Sequence, residues 1–282
     1  RTFSFSDGSV HVALPKSPSS TLLGSSPAKK THAFLRNIEP MLHITKVRQI
    51  LSASYQEMHY NGREPSAQPL PWIWTLCWKV REWYDTSSSG TPCSLSTLYR
   101  LEMLYTMTVI LSPSHRYPEP CAFNKVLLFE HSMSYVYELH DAMEKPDLVP
   151  FITFIDMQRV YLVGRQIVEL LTQDFDLLLS TSVPAPPHES PGTPPPLHSK
   201  DRIACHARSI KCIADIRGLL HYCMEKWDIS DLLEQFERAS AHIQRQLAQT
   251  PVAYLEERGA YATESSTTLP SARYAYPPFS GG

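Results

Sequence analysis

The chain has little glycine and almost no net charge. Ten glycines in 282 residues leave few places where backbone could close around a phosphate. No G-x-G-x-x-G or G-x-x-x-x-G-K-[ST] run occurs. Twenty-six Lys and Arg against 28 Asp and Glu give a formal net charge of −2, which withholds the basic excess used to grip a nucleic-acid backbone. Long hydrophobic runs are missing too. "LPWIWTLCW" and "MTVIL" are far too short to span a bilayer, so the expectation is a soluble protein without membrane partners. The six cysteines, at 77, 93, 121, 205, 212 and 223, form no C-x-x-C pair, and no His pair stands at zinc-finger spacing. G-x-S-x-G and H-E-x-x-H are likewise absent. These gaps leave no catalytic, cofactor-binding, metal or DNA-binding residue to assign, and the chain reads as no enzyme.

Proline and apolar residues fill the space. Hydrophobic residues make up 43%, enough for a sizeable core, and 24 prolines punctuate the chain. Residues 1–27, with "KSPSSTLLGSSP", read as a disordered Ser/Pro-rich arm. Arg1 to Ser26 holds no apolar run of signal-peptide kind, so the cysteines are expected reduced in an intracellular compartment. The absence of an initiator Met suggests a processed chain or a piece of a longer one.

Helical spacing starts near Ala28. Asn37 is a possible cap, Pro40 suits a first turn, and Leu42, Val47, Ile50, Leu51, Ser54 and Met58 recur on one face until "NGREP". A helix from Pro71 places Trp74, Trp78 and Arg81 on one side, and "TSSSGTP" closes it. A third spans about 94–111, with Leu98, Leu101, Tyr105, Thr108 and Val109 as its stripe and Ser94 or Ser96 as cap; Pro113 ends it. Pro120 fits the first turn of the next, which carries Phe123, Val126, Leu127, Met133, Val136, Tyr137 and His140. "FITFIDMQRVYLVGRQIVELL", from Phe151, is apolar almost all round and is expected to be the most deeply buried helix.

Seven prolines in residues 181–198 predict an exposed, disordered linker, taken as 181–199. Two helices follow, at about 201–226 and 229–249. On the first, Cys205, Cys212, Ile216, Leu219 and Cys223 share one face and read as core. Residues 250–282 read as a disordered tail. The expectation is therefore all-α: an irregular bundle of about seven antiparallel-packed helices with Pro-rich breaks. One helical domain, 28–249, is interrupted by the linker.

Few residues invite chemistry. "ELHDAMEK" groups Glu138, His140, Asp141 and Glu144; His140 and Glu144 are i, i+4 and could share a metal, though a polar helix end is the plainer reading. "QDFD" places Asp174 and Asp176 two apart, like the magnesium-binding acids of helical terpene synthases, though such acids more often end a helix. The twelve histidines are scattered and read as surface or satisfied core. Trp72, Trp74, Trp78 and Trp83 could line a small-molecule cavity or simply fill core.

One stretch carries more. "LYRLEMLYTMTVILSPSHRYPEPCAFN", residues 98–124, resembles the regulatory, or middle homology, region of fungal zinc-cluster transcription factors. The likeness runs through Leu101 and Tyr105, then Leu111, Pro113 and Ser114 at a turn, then Pro118 and Pro120. "LHITKVRQILSASYQEMHY" is similar to an earlier helix of that region through Val47, Arg48, Ile50, Leu51 and Ser52, with "KVREW" near its Leu-x-x-Trp. "CIADIRGLLHYCMEKWDISDLLEQFERAS" looks like its closing pair through Trp227, Phe236, Glu237 and Arg238.

The resemblance, from about His32 to Leu247, implies a regulatory domain of a nuclear transcription factor, active in repression, dimer contact or effector response. Zinc and DNA contact would belong to a six-cysteine cluster N-terminal to this sequence. Cys205 and Cys212 have a C-x6-C spacing found in that cluster but lack its paired neighbours. Implied partners are other protein chains, in a homodimer or as co-regulators, and a small-molecule effector, for which the Trp74–Arg81 and Phe151–Leu171 helices are the places to seek a cavity. The alternatives are a small helical enzyme of fungal secondary metabolism, with Asp174 and Asp176 or the Glu138–Glu144 cluster holding a metal, and a stand-alone interaction scaffold.

Overall fold

In a computed structural model, residues 39–60, 68–87, 93–187 and 192–250 are described. The arm 1–27, Asn37, "NGREP", residues 188–191 of the Pro-rich stretch and all of the tail beyond Thr250 lie outside them. Among the described residues seven α-helices form the fold: α1 (Glu39–Tyr55), α2 (Leu70–Ser87), α3 (Cys93–Leu111), α4 (Ala122–Met143), α5 (Phe154–Leu179), α6 (Cys205–Trp227) and α7 (Asp231–Gln249). Among the described residues there is no strand; Ser114 and Tyr117 make one isolated antiparallel bridge. The protein is an all-α irregular bundle.

Two groups of three helices flank α4. Helices α1 and α2 pack on each other and on α3, while α5, α6 and α7 pack on one another. Helix α4 touches α3, α5 and α6 and so joins the groups. It is accordingly the most enclosed helix, with Phe129, Met133 and Val136 wholly buried and even Asn124, Glu130 and Ser132 withdrawn from solvent. Most of the apolar stripes read from the sequence face this core, including Val47 and Leu51 on α1, Met58 on the π-helical turn (Gln56–Tyr60) that follows it, and Leu101 and Tyr105 on α3. Each such side chain contributes roughly 1.5–3 kcal/mol through the area it removes from water.

The helix expected to be most buried is not. Phe151, Ile155 and Leu162 are 59%, 58% and 48% exposed. The reason is local. Phe151 belongs to a separate 3-10 turn (Val149–Phe151), and α5 starts only at Phe154, where Thr153 and Asp156 form a capping box. Its neighbours then cover one side of it. At its other end α5 does not stop at "QDFD". It continues to Leu179 through a kink at Asp174 (φ −131°, ψ 41°).

Other helix ends shift by a few residues. Neither Ser94 nor Ser96 precedes α3, because that helix begins at Cys93. Pro120 lies before α4 instead of inside its first turn; Cys121, with extended backbone, is the N-cap. Helix α6 begins after a 3-10 turn (Ser199–Arg202) and a left-handed Ala204 (φ 53°), and it ends at a left-handed Asp228 (φ 54°). The left-handed residue turns the chain sharply, and Asp tolerates it better than most non-glycine residues. Only three residues then separate α6 from α7, so the two pack as a hairpin.

The Pro-rich stretch has no regular secondary structure at 181–187 or 192–198, as its composition requires. It is not exposed throughout, however. Pro195 is buried, Leu197 packs against the core, and the Trp78 Nε1–H donates to the Thr193 carbonyl at 2.9 Å. Gly192 takes φ 116°, a conformation that favours glycine, beside Pro71 and Trp74. The segment lies as a strap across α2.

Candidate functional site

The turn that breaks the α3 helix is built from its own side chains. Ser114 and Tyr117 exchange backbone hydrogen bonds of 3.0 and 3.1 Å, and the Tyr117 N–H also reaches the Ser114 hydroxyl. The Tyr117 hydroxyl accepts from the Cys121 N–H at 2.7 Å, which satisfies a backbone donor at the start of α4. Asn124, fully buried, donates weakly to that hydroxyl (3.5 Å) and accepts from the Trp74 indole N–H at 3.0 Å. Arg116 pairs with Glu57 at 2.6 Å, tying the turn to the π-helical turn after α1. A chain reversal between packed helices is thus locked from three sides.

This turn also walls a cavity of about 790 Å3 between α1, α3 and α5. That volume lies within the range of small-molecule sites. Its walls mix apolar groups, among them Leu51, Val109 and Leu162, with hydrogen-bonding ones, among them Ser112 and Gln166, whose amide donates to the Ser112 hydroxyl. A second cavity, about 390 Å3, lies between α2, α3 and α4 under the strap and the start of α6. Both regions where a cavity was sought therefore border one: Trp78 and Arg81 line the second, and Leu162 to Leu170 line the first.

Several of the candidate metal residues are already engaged. Asp174 accepts from the Lys125 ammonium at 2.6 Å. Glu138 pairs with Arg100 at 2.6 Å, and His140 lies 4.0 Å from Glu144 and 3.8 Å from Asp215, which itself binds Lys211. Among the described residues no three His, Cys, Asp or Glu side chains converge as metal ligands. The cysteine face of α6 is core, with Cys205, Cys212 and Cys223 at 2% exposure or less. Burial pushes the Cys77 thiol up to about 12 and the Cys205 thiol up to about 11, so both are neutral and poor as nucleophiles or ligands at pH 7.

The tryptophans divide by their N–H partners. Trp74 bonds Asn124, Trp78 the strap, and Trp83 the His43 carbonyl at 2.8 Å, while Trp72 is 37% exposed. His43 stacks on Trp83 with ring centroids 4.7 Å apart. Of the resemblance residues, Leu101, Tyr105, Leu111, Val47, Leu51 and Phe236 are core, and Glu237 pairs with Arg217 at 2.9 Å. Trp227 packs edge-on against Phe154.

Sequence reading missed two buried ionic groups. Glu102 receives Arg48 and Arg159, the latter at 2.9 Å and with its guanidinium 4.3 Å above the Tyr105 ring. Glu130 receives Arg202 at 2.6 Å and Arg208 at 2.7 Å. In each, one carboxylate on a central helix holds two arginines from elements far away in sequence. The only advance signal was an acid inside an apolar stripe. No protein family, curated protein or solved structure matches this chain.

Proposed function

We propose that this chain is a regulatory and interaction domain of a fungal RNA polymerase II transcription factor, acting in the nucleus without catalysis of its own. The observation that carries the reading is the double use of the Ser112–Pro120 turn. The segment with the strongest likeness to the middle homology region also walls the larger, ligand-sized cavity. An effector bound there would touch α1, α3, α5 and the turn together, and would favour whichever packing of those helices fits it better. In this reading DNA contact and zinc belong to a cluster outside this sequence, and the partners are a second copy or co-regulator proteins. The pairing of Asp174 with Lys125 counts against the metal-dependent enzyme reading, since that carboxylate is already neutralised.

The test is to fuse the whole chain to an unrelated DNA-binding domain in a fungal reporter strain. A several-fold change in transcription, up or down, is expected. Val109→Phe, which reduces the cavity, should alter that output while leaving helicity and protein level unchanged. Output equal to that of the DNA-binding domain alone would overturn the proposal.

A further inference from the structure

The smaller cavity has a distinct chemistry. Its apolar wall is Met103, Leu104 and Met107 from α3 with Leu127 from α4, and Pro195 and Pro196 of the strap lie over it. Methionine adapts its shape to a flat partner more readily than branched residues do. At about 390 Å3 the space is near the lower end for small-molecule sites, so its occupant is small.

Four cations line the same space, and two are already committed. Arg208 holds Glu130 at 2.7 Å and donates to the Asp201 carbonyl; Arg100 holds Glu138 at 2.6 Å. Two remain. Arg81 touches Asp85 only at 4.0 Å, and no described group pairs with Lys200. The acids on the wall are occupied: Glu130 carries two arginines, and the Asp201 side chain accepts the His198 backbone N–H at 3.2 Å. His131 also faces the cavity. Burial first, then the charge of Arg81, hold its ring neutral, so it offers one hydrogen-bond donor and no charge.

We propose that this cavity binds a small organic monoanion, a carboxylate on a flat apolar body. The carboxylate is held by Lys200 and Arg81 beside His131, and the body lies against Met103, Met107 and Leu127. A second negative charge would meet Asp85 and Asp201, so dianions are disfavoured. Trp78, which fastens the strap through Thr193, makes the strap the cover over the bound molecule. The site differs from the larger cavity and stands or falls independently of the transcriptional reading.

The experiment titrates the full chain with 2-naphthoate and, separately, with neutral 2-naphthamide, by calorimetry at pH 7. His131 is followed by NMR. Naphthoate should bind at least about tenfold more tightly than the amide. It should also raise the pH at which His131 titrates, because an anion offsets Arg81. The Arg81→Gln/Lys200→Gln double variant, checked for unchanged helicity, should lose the preference. Equal binding of the two probes, no binding at millimolar concentration, a preference that survives the double variant, or binding that leaves His131 unmoved would each overturn the proposal.

Discussion

Arg202 Nη1 lies 2.6 Å from Glu130 Oε1, and the Arg202 side chain has no exposure at all. The other terminal nitrogen of Arg202 donates to the carbonyls of Leu177, Leu178 and Ser180, at 3.2, 2.6 and 2.8 Å. Those carbonyls sit at the C-terminal end of α5, where a helix has no intrahelical donors left to offer. A cation there also opposes the helix dipole. One side chain, at the end of the strap, thus closes α5 and pins it to α4.

Replacing Arg202 by Ala should therefore cost about 3–5 kcal/mol, the penalty of breaking a buried pair and leaving its partner charge behind. Arg208 keeps one hand on Glu130, which favours the lower end of that range. The double variant Arg202→Met/Glu130→Gln should recover part of the loss, since it removes both charges. Urea denaturation of the variants decides; a loss below about 1 kcal/mol for Arg202→Ala would mean that Arg208 alone suffices.

The Ser-Pro turn gives a second test. Tyr117→Phe removes the acceptor of the Cys121 N–H and a partner of buried Asn124 while keeping the ring. The expected cost is about 1–3 kcal/mol, as for a buried donor left without its partner. Ser114→Ala removes only a second acceptor for the Tyr117 N–H, which keeps its carbonyl bond, and should cost distinctly less. A Tyr117→Phe loss in thermal unfolding as small as that of Ser114→Ala would show that the ring's packing, and not its hydroxyl, holds the turn.

Two glycines show how far the sequence could be read. Gly164 and Gly218 both lie inside helical patterns and look alike as letters. A Cβ on Gly164 would meet Phe236 Cε2 at 3.0 Å and Ile216 Cγ2 at 3.1 Å, where α5 crosses α6 and α7; a Cβ on Gly218 would meet nothing within 4 Å. Gly218→Ala should stabilise by about 0.5–1 kcal/mol, the helix-propensity difference. Gly164→Ala should instead destabilise by about 1–3 kcal/mol through overpacking, despite the same local gain. A stabilised Gly164→Ala, measured by denaturation, would show that Phe236 can move aside.

The same contrast separates what was legible from what was not. Local rules sufficed where a residue's effect acts within its own helix. Pro113 ended α3, Pro40 sat in a first turn, and the cysteine face of α6 was core. They failed where the outcome depended on partners distant in the chain. The apolar surround of α5 could not reveal that its neighbours leave Ile155 and Leu162 uncovered. Asp174 read as a helix end because nothing local announced Lys125, 49 residues earlier, as its partner. Prolines marked the strap as irregular, yet only Trp78 and the cavity beneath it explain why Pro195 is buried. Of the candidate sites, the two helices bordering cavities were legible. The buried arginine–glutamate groups were not, since a charge in an apolar stripe names no partner.

His131 provides the pH test. Its burial, reinforced by the charge of Arg81 and partly opposed by Asp201, lowers its pKa from the ordinary 6.5 to about 4. Between those values the unfolded chain binds a proton that the folded one does not, so folding stability rises with pH across the window. The contribution is complete above about pH 6.5 and is lost as the pH falls toward 4. The shift corresponds to about 3 kcal/mol at most. Carboxylates elsewhere titrate over part of the same range, so the informative quantity is the difference between the wild-type chain and His131→Gln. From pH 7 to pH 4.5 the wild type should lose more stability than the variant, by about 2 kcal/mol in urea denaturation. Parallel curves would mean that the folded protein accommodates a protonated ring at this position, with Asp201 as its counter-charge.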